Sequence, residues 1–176
     1  MNELPQRKRT RLPDYDYSSP GAYFVTICTY QKKCFLSQIV VGAIHESPEA
    51  FVRLTSAGRA VQQAIDALAA RSGKIQVDNC VIMPNHVHLL LRIREERAIH
   101  ESPLQYDGKR SLLDKAIGYL KMNSSRKIHV SQPELPVWQR SYYDHVIRNE
   151  RDFFEIWNYI NNNPARWAED RFFVDE

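Results

Sequence analysis

The stretch IQVDNCVIM (residues 75–83), followed by HVHLLLRI (residues 86–93), decides the fold of this chain. Both segments are rich in β-branched and aliphatic residues and have the length of strands. Only Pro84 and Asn85 separate them, which predicts a β-hairpin or a tight bend between two neighbouring strands. An antiparallel sheet is therefore the centre of the predicted structure.

Other segments supply the rest of the sheet and its helices. YFVTICTY (23–30) has strand composition, and a short strand-like run follows over 34–41. Apolar residues at helical spacing predict three helices: one from Thr55 or Ser56 to about residue 72, one over 112–127, and one from Asn149, as its cap, to Asn163. Residues 137–147 form either a last strand or an irregular extended segment. Strands interleaved with helices predict an α+β fold with helices packed on an antiparallel sheet.

Composition narrows the class of protein. A length of 176 residues suits a single domain spanning 1–176, and 43% apolar with 26% charged residues is ordinary for a globular protein. The sequence has no apolar run of about 20 residues that could cross a bilayer, so we expect a cytoplasmic protein. Three cysteines without Cys-x-x-Cys spacing argue against a disulfide framework and a cysteine zinc site.

The hexapeptide AIHESP occurs twice, at 43–48 and at 98–103. Each copy ends in Ser-Pro, which favours extended loop geometry, so we predict inserted flexible loops over 42–50 and 95–110. The copies could also pair His45 with His100 as metal ligands. The bases GCG ATT CAT GAA TCG C, however, encode Ala-Ile-His-Glu-Ser and the first base of the proline codon, and this string equals its own reverse complement. The residues before the two copies, Gly42 and Arg97, permit the longer palindrome GGGCGATTCATGAATCGCCC. We therefore predict two in-frame insertions of a mobile palindrome.

His86 and His88 are two residues apart on a predicted strand, so both imidazoles project from one face of the sheet. Two neutral imidazoles can share a divalent cation, but they do not complete the four ligands of a structural zinc site. A metal bound there would keep open positions, as a catalytic site requires. Two surface histidines without a metal are the alternative.

The last predicted helix carries two different stripes. Phe153, Ile156, Trp157 and Ile160 form an apolar stripe, whereas Tyr159 and Asn163 lie one turn apart on a polar one. Tyr159 is thus off the buried face. The amide oxygen of Asn163 suits a hard cation and makes this residue a candidate third ligand.

MPNHVHLL, together with WQRSYYDHVIRNERDFFEIWNYINNNPARW and the opening RTRLPDYDYSSPGAYFVTICTYQKKCF, resembles the single-tyrosine HUH transposases, most closely the REP-associated tyrosine transposases of bacteria. The resemblance implies a ferredoxin-like or RRM-like α+β fold, with helices packed on one face of an antiparallel sheet and the catalytic tyrosine on a C-terminal helix. It implies Tyr159 as the nucleophile, His86, His88 and Asn163 as metal ligands, and Mg²⁺ or Mn²⁺ as the metal.

The expected activity is cleavage and strand transfer of single-stranded DNA at hairpin-forming, REP-like palindromes, through a covalent 5′-phosphotyrosine intermediate. The base that deprotonates Tyr159 is not identified by the sequence, and Glu155 is one candidate. The basic N-terminal arm (1–20) suits phosphate contacts, although a tail that only aids solubility has the same composition. The residues predicted to contact DNA are Arg7, Lys8, Arg9, Arg11, Lys121, Arg126, Trp138, Arg140 and Arg148.

Two other classes of function stay open at this point. A non-catalytic RRM-like module would bind nucleic acid through stacked aromatic residues, but the chain has no RNP signature. A metal-dependent hydrolase would use the histidine pair, but the sequence offers no acidic cluster near it and leaves Tyr159 without a role. Monomer and homodimer are both compatible with the sequence.

Overall fold

The structure is a computed structural model that describes residues 15–42, 49–71, 73–95 and 110–174, with only the backbone at Glu49. Within these ranges the strands are β1 (Gly21–Cys28), β2 (Ser37–Gly42), β3 (Glu49–Leu54), β4 (Ile75–Ile82), β5 (His86–Ile93) and β6 (Tyr143–Ile147), and the α-helices are α1 (Ser56–Arg71), α2 (Leu112–Ile128) and α3 (Glu150–Asn162).

The central sheet has four antiparallel strands in the order β4-β5-β1-β6. With α1 between β1 and β4 and α2 between β5 and β6, this is the βαββαβ arrangement of ferredoxin-like folds. The predicted α+β class is therefore confirmed. A separate two-stranded sheet, β2 with β3, is inserted between β1 and α1. The sequence analysis predicted β2 but not β3.

One face of the sheet forms the main core. Side chains alternate between the two faces of a strand, and alternate residues of β5 are apolar core residues. Val87, Leu89 and Leu91 are fully buried on that face. Helices α1 and α2 cover it and pack against each other, burying the apolar stripes that the sequence predicted, among them Val61 and Ile117. Burial of this face accounts for the position of both helices.

Helix α3 lies on the opposite face of the sheet, where it contacts β4 and β5. His86, His88 and Leu90 project toward this side because they alternate with the core residues of β5. The prediction that helices pack on one face therefore holds for α1 and α2, whereas α3 adds a third layer. The sheet thus separates a large apolar core from a smaller, polar layer.

Several sequence predictions fall partly or wholly outside the described residues. Both AIHESP copies (43–48 and 98–103) and the basic residues Arg7, Lys8, Arg9 and Arg11 lie outside them. Of the predicted loop over 42–50, Gly42, Glu49 and Ala50 belong to the paired strands β2 and β3. No helix in the described part of the chain is long and apolar enough to span a bilayer.

Candidate active site

Strand β5 brings the two histidines together beneath α3. The Nε2 atoms of His86 and His88 are 3.0 Å apart, and both side chains are fully buried. The other ring nitrogen of each histidine also has a partner: Nδ1 of His86 is 2.9 Å from Oδ1 of Asn85, and Nδ1 of His88 is 2.8 Å from the Thr26 hydroxyl. Because an amide oxygen can only accept, Nδ1 of His86 carries the proton and Nε2 presents its lone pair.

Both imidazoles are held neutral. Burial lowers the pKa of His86 well below its usual value, and the neighbouring His88 lowers it further. Burial also lowers the pKa of His88, against the opposing effect of a nearby carboxylate, Asp170. Neutral imidazole is the form that binds a metal ion, so these two side chains are suited to be ligands.

Helix α3 places its polar stripe over the histidines. Its N-cap is Asn149, as predicted, whose side chain accepts a hydrogen bond from the Asp152 amide. The Tyr159 hydroxyl lies 3.4 Å from Nε2 of His88, and Tyr159 remains 41% exposed. Asn163 is buried, and its Oδ1 has no hydrogen-bond partner among the described residues. A buried amide oxygen without a hydrogen-bond partner is well suited to coordinate a cation.

A carboxylate, that of Asp170, joins the two histidines, and the sequence did not indicate it. After α3, the 3-10 helix Pro164–Glu169 turns the chain back over the site and delivers Asp170. Oδ2 of Asp170 accepts hydrogen bonds from the Tyr159 hydroxyl (3.1 Å) and from Nδ2 of Asn163 (2.8 Å), and Oδ1 accepts one from the Phe172 amide. His86, His88 and Asp170 offer ligand atoms within 4.8 Å of one another.

Asp170 is ionised and Tyr159 is protonated in this arrangement. Burial raises the pKa of the Asp170 carboxyl, but interactions with His88, Asn163 and the Phe172 amide outweigh burial and hold that pKa well below its usual range. Burial and the negative charge of Asp170 raise the pKa of Tyr159 to about 12. Tyr159 is therefore a hydrogen-bond donor to Asp170 at neutral pH.

Tyr159 opens onto a groove with a volume of about 600 Å³. Arg166 and Arg171 line this groove beside Asp170. The guanidinium of Arg171 also stacks over the ring of Phe172, 4.5 Å from its centre. These two arginines follow α3 in a segment without helical or strand periodicity, so the sequence analysis did not select them. The same lining contains three acidic residues, Glu155, Glu169 and Asp170, and Arg166 pairs with Glu169 at 3.9 Å. The two arginines are the cationic side chains of the groove that could contact a phosphate backbone.

Among the described residues predicted to contact DNA, two bond to other parts of the protein and three are exposed arginines. Nζ of Lys121 donates to the carbonyl oxygens of Gln139 and Ser141, and burial lowers the pKa of Lys121 to about 8. The indole of Trp138 donates a hydrogen bond to the Ser124 hydroxyl and packs against the core. Both side chains therefore anchor the segment before β6. The arginines that remain exposed are Arg126, Arg140 and Arg148.

Glu155, the candidate base, does not contact Tyr159 through any hydrogen bond in the described structure. Its carboxylate is 2.8 Å from Nε of Arg151, and the pair is exposed. The acidic group at the Tyr159 hydroxyl is Asp170 instead. The sequence indicated no acidic ligand cluster near the histidines, and in the structure one carboxylate, that of Asp170, reaches them through the turn that follows α3.

Comparison with known proteins identifies the class to which this constellation belongs. A family profile described as "Transposase IS200 like" matches residues 22–163, which include β1, the histidine pair, Tyr159 and Asn163. The chain belongs to the IS200-like transposase family. As a member it is a transposase, an enzyme that acts on DNA, which confirms the family and the enzyme class expected from the sequence motifs.

One relative of this IS200-like transposase matches nearly its whole length, and a second matches about half of it. An uncharacterised protein of Haemophilus influenzae is 29% identical over 180 residues, which cover 98% of this chain and 96% of the relative. A second protein of that organism, provisionally named a REP-associated tyrosine transposase, is 28% identical over 88 residues, covering 48% of this chain and 47% of the relative.

A solved structure of a REP-associated tyrosine transposase bound to a REP hairpin has the same fold. It superimposes with a TM-score of 0.59 at 16% identity, and the match covers 92% of this chain and 76% of that one. The similarity extends across the described sheet and helices rather than a single motif.

Proposed function

We propose that this transposase cleaves and rejoins single-stranded DNA through a covalent 5′-phosphotyrosine formed on Tyr159, with the help of a divalent metal ion. The observation that carries the proposal is the convergence, within one chain, of the Tyr159 hydroxyl and the histidine pair, 3.4 Å apart at Nε2 of His88. Because one chain contains the whole constellation, the proposal does not require a partner subunit to supply the tyrosine.

The side chains around this point suit a divalent cation. His86 and His88 contribute neutral nitrogen donors, Asn163 contributes a buried and unpaired amide oxygen, and Asp170 contributes a carboxylate. The amide and carboxylate oxygens of this set are donors that suit Mg²⁺ or Mn²⁺. When bound there, such an ion would polarise the scissile phosphate and stabilise the charge that develops on its non-bridging oxygens.

Tyr159 would act as the nucleophile. Its oxygen attacks phosphorus, a bond to phosphorus forms, and the bond between phosphorus and the 3′ oxygen of the preceding nucleotide breaks. The phenolic proton is directed at Oδ2 of Asp170, which orients the attacking oxygen and is the nearest acceptor. The leaving 3′ oxygen takes up a proton and becomes a 3′-hydroxyl, which can later attack the phosphotyrosine of another strand and rejoin the DNA.

The proposed substrate is a DNA hairpin formed by a REP-like palindrome. The solved relative is described as bound to a REP hairpin, and this chain shares its fold. Arg166 and Arg171 beside Tyr159 suit the phosphates of a single strand that leaves such a hairpin. We also place the activity in the cytoplasm, where the host chromosome would supply such palindromes.

The experiment that tests the proposal is incubation of the enzyme with a labelled hairpin oligonucleotide and Mn²⁺, followed by a denaturing gel. We expect a covalent protein–DNA band, and we expect Tyr159→Phe to reduce its formation by at least about 1000-fold while binding persists. Tyr143→Phe is the matched control, because Tyr143 is 43% exposed and Tyr159 is 41% exposed.

The gel also separates the other two classes of function. Free fragments without an adduct would favour a metal-dependent hydrolase. A complex that forms on a native gel without any cleavage would favour the RRM-like binding module. Either outcome would contradict the proposed mechanism.

A further inference from the structure

A cavity of about 410 Å³ is lined partly by β2 and shares no lining residue with the Tyr159 groove. One of its lining residues, Trp167, has its ring centre 5.9 Å from that of His86. Residues from four parts of the chain line it: Cys34, Phe35, Ser37, Gln38, Ile39, Thr55, Pro84, Trp167, Phe173 and Val174. None of these lining residues carries a charge, so the cavity is unsuited to a phosphate. It suits an uncharged, flat, partly polar group.

The walls of the cavity provide aromatic surfaces. Phe35, Trp167 and Phe173 line it, and the rings of Trp167 and Phe173 pack edge to face with their centres 5.3 Å apart. Unpaired nucleobases stack on such rings in proteins that bind single strands. An aromatic cavity without charged groups therefore matches a base better than it matches the sugar-phosphate backbone.

The cavity also contains a polar group in need of a partner. Ser37 is 4% exposed, and its hydroxyl has no hydrogen-bond partner among the described residues. A buried hydroxyl without a partner is unfavourable, and a bound group that hydrogen-bonds to it removes that cost. Gln38, at the exposed rim, adds an amide that can both donate and accept. The ring nitrogens and exocyclic groups of a base supply complementary atoms.

The two-residue bend between β4 and β5 joins the cavity to the active site. On one side, the Pro84 carbonyl accepts hydrogen bonds from the Phe35 and Leu36 amides, which fixes the cavity wall. On the other side, Oδ1 of the next residue, Asn85, is hydrogen-bonded to His86. The indole ring of Trp167 also connects the cavity with the active site. It lines the cavity, and its centre is 5.9 Å from that of His86.

We propose that this cavity binds one unpaired nucleobase of the DNA strand, from a nucleotide next to the scissile phosphate, and so sets the position of cleavage. The proposal rests on the proposed function, because the base must belong to the strand that Tyr159 attacks. The base stacks against Trp167 or Phe173 and hydrogen-bonds to the Ser37 hydroxyl. The neighbouring phosphate then lies at the histidine pair.

The test measures binding of a fluorescent oligonucleotide that contains GGGCGATTCATGAATCGCCC with single-stranded flanks. The Tyr159→Phe protein is used as the parent, so that binding is not followed by cleavage. Each flanking nucleotide is replaced in turn by an abasic one. We expect one abasic position to weaken binding by about tenfold. In the parent carrying Ser37→Ala, binding of the intact strand weakens by about fivefold, whereas binding of that abasic strand is unchanged.

Ser37→Ala removes an unpartnered hydroxyl, so the variant should unfold at the same temperature as the parent or at a higher one. Phe173→Ala is the second variant, and it should show the same selective loss for the intact strand. Ser131→Ala, whose hydroxyl contacts Ile128 at the end of α2, is the control and should bind both strands like the parent.

The proposal is overturned if no abasic position weakens binding. It is also overturned if the ratio of the affinities for the intact and the abasic strand is the same in both cavity variants as in the parent. If Tyr159 forms its DNA adduct but binding lacks abasic sensitivity, the cavity proposal fails and the proposed function stands. If the Ser37-dependent abasic effect appears but no adduct forms, binding of a base in the cavity stands, whereas its role in setting the position of cleavage fails together with the cleavage mechanism.

Discussion

The Tyr159 hydroxyl donates a hydrogen bond to Oδ2 of Asp170 over 3.1 Å. The same carboxylate oxygen accepts a hydrogen bond from Asn163, the C-cap residue of α3, one helical turn after Tyr159. Asp170 therefore orients the proposed nucleophile and a proposed metal ligand together. It also keeps the phenol protonated, since a neighbouring negative charge opposes formation of a phenolate.

Asp170→Asn should lower the pKa of Tyr159. Burial and the Asp170 charge together raise this pKa to about 12, and the amide removes the charge but not the burial. The variant should therefore ionise Tyr159 at a lower pH than the wild type, closer to the ordinary value near 10. An ultraviolet phenolate titration of each protein, with the matching Tyr159→Phe protein subtracted, measures the shift. Asp152→Asn, which alters a carboxylate near His145 instead, should leave the titration unchanged.

Removal of either histidine should weaken metal binding. His86→Ala or His88→Ala deletes one of the converging Nε2 donors, and we expect a loss of about 10- to 100-fold or more in Mn²⁺ affinity by calorimetry. His145→Ala is the control, because His145 is exposed and pairs with Asp152 instead of with the histidine pair. Equal Mn²⁺ affinity in all three variants would exclude the histidine pair as the metal site.

Two glycine substitutions should change stability in opposite directions. Gly58 lies in the first turn of α1, where an added Cβ would overlap the Leu36 carbonyl oxygen, so Gly58→Ala should destabilise the fold by about 1–3 kcal/mol. Gly118 in α2 has open space around the equivalent position, so Gly118→Ala should stabilise the helix by about 0.5–1 kcal/mol. Chemical denaturation measures both, and a stabilised Gly58→Ala would contradict the packing of α1 against residue 36.

The sequence could predict the parts of the site that follow local periodicity. His86 and His88 share a face because strand side chains alternate, and Tyr159 leaves the buried stripe of α3 because of helical spacing. Asp170 could not be found in this way. It reaches the site through a 3-10 helix whose path depends on tertiary contacts, and a single aspartate carries no periodic signal.

The same limit applies to other features. Lys121 is predicted to contact DNA, and the structure adds that its position on α2 directs the amino group at backbone carbonyls before β6, which local sequence does not indicate. Strand β3 was missed because its six residues follow the AIHESP copy directly and become a strand only through pairing with β2. Long-range pairing, rather than local preference, determines both features.

Mass spectrometry of the protein after reaction with the hairpin oligonucleotide and Mn²⁺ tests the central claim most directly. Nuclease and protease digestion should yield the peptide that contains Tyr159 with a nucleotide attached to its side chain through a 5′ phosphate. The released DNA fragment should end in a 3′-hydroxyl. DNA cleavage with Tyr159 unmodified, or with the nucleotide attached to another residue, would contradict the account.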